Sequence, residues 1–246
     1  MERSAAEARQ ELIQTLGQEN GELVDNLRTD CASLRLHWRI YRSFFGTSKE
    51  RVDMLNSISG TTALVLENSL WHEVIFRICR LSDPKTSLKG KSKNVSITRL
   101  EDLIEERSKE EIQKSISEAV AASAFAKTLR NKLLAHSDDD ARNNRGVLIT
   151  RGSRRDVTNA IDRICDCVRL YYSVALDTHL VTHPISNLGD DEVKIIQTIY
   201  LGKQEMLRIE AERRRHLAVR DYKALDENET RLPDWVTYRD DEFKDG

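Results

Sequence analysis

Apolar residues recur three and four positions apart along almost the whole chain, and little interrupts them. Only 10 glycines and 3 prolines occur in 246 residues, so backbone breaks are few and elements must be long. Leu27, Cys31, Leu34, Trp38 and Tyr41 mark a first helical stripe. A second, over 60–81, carries Leu64, Leu70, Trp71, Val74, Ile75 and Ile78 and is the candidate centre of the core; Asp83-Pro84 stops it. Ile112, Ile116, Val120, Phe125, Leu129 and Leu133 form a third stripe on a helix ending near His136. The fourth, capped by Ser153 and closed by Pro184, holds Val157, Ile161, Ile164, Val168, Tyr171 and Ala175. No segment alternates with the period of a strand. The spacing predicts an all-α fold, a bundle of long antiparallel helices with short connections over 1–184. A C-terminal extension follows over 185–246: a long helix starting at Asp190, apolar at first and increasingly charged, then the acidic tail DENETRLPDWVTYRDDEFKDG.

Local signals set the expected boundaries. Gly17 and Gly21 predict a break near the start of the first stripe. Thr47 with Glu50, Thr98 with Glu101 and Ser108 with Glu111 have the spacing of capping boxes. KTSLKGKSKN, lysine-rich and without an acidic residue, predicts an exposed loop; SDDDARNNRG predicts another, and VLITR a short extended piece.

Charge is abundant but balanced, with 39 Lys plus Arg against 41 Asp plus Glu. That excludes a surface coated in basic charge for non-specific nucleic-acid binding and leaves room for a local basic groove. The N-terminal MERSAAEARQELIQ is charged throughout, unlike a secretory signal. The longest apolar candidate for a membrane span is interrupted by Glu67, Asn68, His72, Glu73, Arg77 and Arg80, so no membrane partner is expected. Cys31, Cys79, Cys165 and Cys167 show no zinc-like pairs and read as reduced thiols of a cytoplasmic protein. His179 and His183, four apart on one helical turn, have a metal-compatible spacing, but no third ligand accompanies them, and neither metal nor other cofactor is expected. Gly90-Lys91-Ser92 is not a P-loop, because Lys85 stands where a glycine is required and no strand precedes it.

The stretch LRNKLLAHSD at 129–138 concentrates the chemistry. Leu129, Leu133 and Leu134 share one buried face, which turns Arg130, Asn131, Lys132 and His136 elsewhere. An arginine followed by histidine at such spacing is expected roughly twice by chance in a chain of this composition, so spacing alone carries no weight. Context does. The string R-N-K-L-L-A-H ends the second helix of a helical hairpin beside a basic loop, and the wider text LWHEVIFRICRLSDP, KNVSITRL, LRNKLLAHSD resembles the abortive-infection U-type branch of the HEPN superfamily over about 35–180. Many members of that superfamily are metal-independent ribonucleases whose motif is arginine, a polar residue, then histidine.

The resemblance implies a homodimeric endoribonuclease acting in phage defence or as a toxin, with RNA as partner and an antitoxin protein as a further partner it allows. His136 would be general acid or base and Arg130 the phosphate stabiliser, with Asn131 positioning and Lys132 assisting. The residue types suit the task. Imidazole titrates near neutrality, and guanidinium stays charged while binding phosphate oxygens in a fork. On a regular helix six steps put His136 roughly 120° around and about 9 Å along from Arg130, so a two-fold dimer is expected to complete the cleft.

Arg151, Arg154 and Arg155 follow as candidate backbone contacts, while Glu73 and Arg77 are either support from a neighbouring helix or an ordinary i,i+4 pair. The lysines of the 85–94 loop are weaker phosphate candidates. Trp38 and Trp71 read as core, and Arg213, Arg214 and Arg215 as a solvated face. In relatives silenced by nucleotidyl transfer a tyrosine stands two places after the histidine; here that place is Asp138. The competing class is a non-enzymatic helical module that binds RNA or a protein.

Overall fold

In the computed structural model of the chain, the structure describes residues 4–87, 90–131, 152–183, 191–227 and 236. The chain is all-α. Its helices are α1 (Ala5–Leu16), α2 (Gln18–Tyr41), α3 (Lys49–Ser82), α4 (Glu106–Ala122), α5 (Ala124–Leu129), α6 (Arg154–Leu176), α7 (Asp191–Ala218) and α8 (Tyr222–Glu227). A π-helical turn, Arg42–Gly46, and a 3-10 helix, Ile97–Asp102, join them. Two compact units divide the chain, 1–193 and 194–246.

The first unit holds the bundle. α2 presents Leu27, Cys31 and Leu34, fully buried, with Trp38 and Tyr41 nearly so, and α6 faces it with Val157, Ile161, Ile164, Val168 and Tyr171. The two run antiparallel, as Trp38 Nε1 donates to Thr158 at 3.0 Å and Arg35 Nη1 to Asp162 at 2.9 Å. α3 lies antiparallel to α2, with the Trp38 and Trp71 rings 6.3 Å apart near one end and Arg80 bonded to Asp30 at 2.6 Å near the other. α4 runs antiparallel to α6, tied by Arg163 to Glu118 at 2.9 Å. Each stripe thus faces another and is removed from water, the main stabilising term for such a bundle.

Several boundaries differ from the sequence expectation. Gly17, at φ +80°, does separate α1 from α2, but Gly21 lies inside α2. A Cβ there would fall 2.6 Å from the Ile13 backbone, so Gly21 serves the close crossing of α1 on α2. The cap of α3 is Ser48, whose hydroxyl accepts from the Arg51 N–H at 3.2 Å, rather than Thr47. α3 is broken within its 34 residues at Ser59, whose φ −158° and ψ 91° are extended rather than helical, so the helix expected from Gly60 to Leu81 begins just past this kink. Of its expected core, Val74, Ile75 and Ile78 are fully buried and Leu70 and Trp71 half-buried, while Leu64 is 57% exposed. The cap of the 3-10 segment is Ser96 rather than Thr98, and α4 begins at Glu106, before Ser108.

The third stripe breaks at Ser123 into α4 and α5. The Ser153 cap holds, as a full capping box with Asp156, but α6 ends at Leu176 with Asp177 left-handed. His179 and His183 therefore lie beyond the helix and do not share a turn. The 85–94 stretch contains a two-residue antiparallel ribbon, Thr86–Ser87 with Ser92–Lys93. Its Lys85 is held by Glu101 and Asp102 and its Lys93 by Glu19, so these lysines already have carboxylate partners. SDDDARNNRG, VLITR, Leu133, Pro184, Asp190 and most of the acidic tail lie outside the described residues.

In the second unit α7 is bound along its surface by ion pairs, Arg208 to Glu205 and to Glu212 at 2.6 Å and Arg214 to Glu210; Arg213, Arg214 and Arg215 are exposed. Among the described residues no helix is long and apolar enough to cross a membrane.

Candidate active site

The end of α3 organises the region. A helix C-terminus leaves carbonyls without partners and carries partial negative charge. Here Lys127 of α5 donates to the Ser82 carbonyl at 2.8 Å, and the Ser96 and Thr98 hydroxyls each donate at 3.0 Å, to the Leu81 and Asp83 carbonyls respectively. α5 is thereby pinned across the terminus of α3. At the far end of α5, Arg130 Nη1 donates to both carboxylate oxygens of Asp83 at 3.1 and 2.9 Å, and its Nε to the Asn131 side-chain oxygen at 3.2 Å. The pair is about one-quarter exposed, 26% for Arg130 and 24% for Asp83. Among the described residues Nη2 of Arg130 has no hydrogen-bond partner, leaving two donors of the fork open.

Arg130 and Asn131 are in π-helical form. The wider i→i+5 turn, common at functional sites, means the regular 100° step does not hold at these two residues. His136, Lys132, Arg151 and Asp138 lie outside the described residues.

Cys79 lies beneath this group, fully buried. Burial pushes its thiol up to about 11; the Arg130 and Lys127 charges pull the other way and Asp83 adds to the rise. It is a packing residue, not a nucleophile.

Asp83 also walls a cleft of about 320 Å³ shared with Asp30, Arg80, Lys93 and Asn94. Glu73 and Arg77 approach it from behind. Arg77 Nε meets Glu73 at 2.6 Å, and its Nη1 lies 3.7 Å from Asp30, which Arg80 also holds. Arg154 and Arg155 line a different cleft, of about 460 Å³, with Arg42, Gly46 and Asp162, where Arg154 donates to the Gly46 carbonyl. The structure therefore brings Arg130 together with Asn131, sets Glu73 and Arg77 one ion pair behind the neighbouring cleft, and places Arg154 and Arg155 in a recess of their own.

Asp83, Lys127 and Arg42 were not singled out by sequence reasoning. Asp83 stands in the quoted LWHEVIFRICRLSDP but read only as a helix stop. Its partner is 47 residues away, beyond any spacing rule.

An all-α bundle that carries R-N-K-L-L-A-H from the end of a short helix pinned on its longest one is a HEPN domain. Residues 17–196 match the HEPN family AbiU2, and the chain belongs to that family. The match begins at Gly17, the N-cap of α2, and is wider than the resemblance over 35–180. No curated protein and no solved structure matches the chain.

Proposed function

We propose that the chain is a metal-independent endoribonuclease acting in abortive infection or as a toxin, in the cytoplasm and as a homodimer. The observation that carries the reading is the Arg130 guanidinium at the one-quarter exposed end of α5, oriented by Asp83 and Asn131 and with Nη2 unbonded among the described residues. A guanidinium so held meets a phosphate without first being ordered, which is how preorganised charge lowers a barrier.

The ribose 2′-oxygen attacks phosphorus, forming the O2′–P bond and breaking P–O5′. One general base removes the 2′ proton and one general acid protonates the departing 5′-oxygen, leaving a 2′,3′-cyclic phosphate. Two copies of His136, one per subunit, supply these roles, Arg130 stabilises the added phosphate charge, Asn131 positions and Lys132 assists. No redox partner or metal enters the balance.

The Arg130–Asp83 pair also favours a second reading in one respect: it ties α5 to the end of α3, which a non-catalytic HEPN module binding RNA or a protein would need equally. Incubating the full-length protein with total RNA in chelator, beside His136→Ala of unchanged helicity, separates the two. Cleavage lost in the variant supports the nuclease. Cleavage that survives rejects His136, and no cleavage by the unaltered protein favours the binding module.

A further inference from the structure

Among the described residues, the recess at the start of α6 holds more guanidinium than carboxylate charge, although Asp156 feels Arg155 from outside its lining. Arg42, from the π-helical turn after α2, converges on it with Arg154 and Arg155. Its one carboxylate, Asp162, already accepts from Arg35 at 2.9 Å. The Asp156 carboxylate is occupied by the Ser153 backbone and hydroxyl in the capping box. Among the described residues neither Arg42 nor Arg155 has an ion-pair partner, and Arg154 has only the neutral Gly46 carbonyl. Three guanidiniums sharing one recess repel each other and draw an anion.

The lining selects the kind of anion. Beside the arginines it offers the Asn159 amide, a group that bonds phosphate oxygens, while the Thr158 hydroxyl is already spent on the Arg154 carbonyl at 2.9 Å and on Trp38 Nε1 at 3.0 Å. A second cleft of about 500 Å³ shares Arg42, Thr158 and Asp162 and extends past Ser43 and Thr47 to Trp38, so the two clefts adjoin at Arg42. Trp38 offers no free ring face for a base, being 5% exposed and stacked on Tyr41 with centroids 5.2 Å apart. A chain of phosphates fits this better than a single nucleotide.

Position links the recess to Arg130. Gly152, at φ +75°, lies so close to the Phe125 ring of α5 that a Cβ would fall 2.6 Å from it. Phe125 is one and a half turns before Arg130, so Arg130 and Arg154 are separated by less than roughly 25 Å between Cα atoms. We infer that Arg42, Arg154 and Arg155 form a track for the phosphodiester backbone of single-stranded RNA, a second anchor for the strand presented to Arg130. This rests on the RNA reading above.

The test is binding of fluorescent single-stranded RNA to the full-length protein across a salt series. Each lost phosphate contact flattens the slope of log K against log salt by about 0.7, so Arg42→Gln/Arg155→Gln is expected to flatten it by about 1.4. Arg213→Gln/Arg215→Gln, which removes the same charge from the exposed side of α7, should leave it in place. An unchanged slope in the first variant, or an equal change in the control, overturns the track. Inorganic tripolyphosphate as competitor separates the two sources of phosphate. RNA retained at equal phosphate concentration supports a strand track, and RNA displaced assigns the recess to a small free phosphate and overturns it. Cleavage with a slope unmoved by the variants removes the track and keeps the nuclease. Binding that flattens as expected without cleavage keeps the track and removes the nuclease. No binding by the unaltered protein removes the track outright.

Discussion

At the end of α5 the Arg130 guanidinium meets a carboxylate; at the start of α6 Arg154 meets only a backbone carbonyl, and Arg155 meets no ion-pair partner among the described residues. The first arrangement fixes the direction of a fork and offsets most of its charge. The second leaves charge available and fixes less direction. A transition state rewards orientation, since donors must already be aimed where charge develops. Holding a polymer rewards net charge, through counterion release along the strand. The same side chain is therefore placed for two physical tasks, and the difference lies in whether an acidic residue stands within reach.

The largest effects should fall where orientation matters. His136→Ala is expected to lower cleavage roughly 100- to 10,000-fold, the usual worth of general acid–base catalysis. Arg130→Gln should lower kcat by roughly 100- to 1,000-fold with little change in the salt slope of RNA binding. Arg154→Gln should do the reverse, moving the salt slope and KM with kcat nearly intact. Single-turnover kinetics across a salt series reads both quantities. If the two arginine variants gave the same split between kcat and KM, the distinction between the two regions would be lost.

Asp83→Asn probes the offset itself. Asparagine still accepts one hydrogen bond but returns a full positive charge to the neighbourhood of Arg130. RNA should then bind several-fold tighter while kcat drops about tenfold, equivalent to about 1.4 kcal/mol, because orientation is lost and charge is gained. A purely structural pair would lower stability and leave the two kinetic quantities moving together.

Smaller again is Ser153→Ala. The serine closes a capping box with Asp156 immediately before Arg154, and its loss should cost about 1 kcal/mol of stability in a urea melt. The first turn of α6 carries two of the cleft arginines, so fraying there should also raise KM for RNA while leaving kcat unaltered. An altered kcat would mean that the two clefts are not separable.

These contrasts also show what a sequence discloses. Apolar stripes are a local code, and they sufficed for α2, α6 and the later part of α3, whose Leu27, Ile161 and Ile78 are fully buried. The earlier part of α3 has apolar residues without burial, Leu64 among them, because nothing in its own turn tells a helix whether another will cover it. Caps slipped by one or two positions at Ser48 and Ser96, where adjacent hydroxyl residues offer equivalent acceptors. Arg130 and Asn131 stand out because their string is contiguous. Asp83 and Arg42 do not, since their importance arises from helices folded together across dozens of residues.

The smallest effect vanishes at neutral pH and reports on the anchored region alone. Cys79 has its thiol raised from an ordinary value of 9.0 to about 11, chiefly by burial beneath Arg130. Between those values the unfolded chain has released a proton that the folded chain keeps. Its stabilising contribution is therefore fully present below pH 9 and is lost as pH rises through about 11. Cys167 and Tyr171, pushed up to about 12 by burial, add losses of the same sign that begin near their ordinary values of 9.0 and 10.0 and run on beyond the end of the Cys79 loss. Cys79→Ala should flatten the early part of the alkaline stability curve and leave the later part in place. Arg130→Gln, by removing a charge that favours the thiolate, should leave the onset near pH 9 and extend the Cys79 loss to higher pH. Denaturant melts at intervals from pH 8 upward resolve the two limbs. If neither substitution altered the early limb, α5 would not be seated over Cys79, and the orientation credited to Arg130 would lose its foundation while the cationic recess at α6 stood untouched.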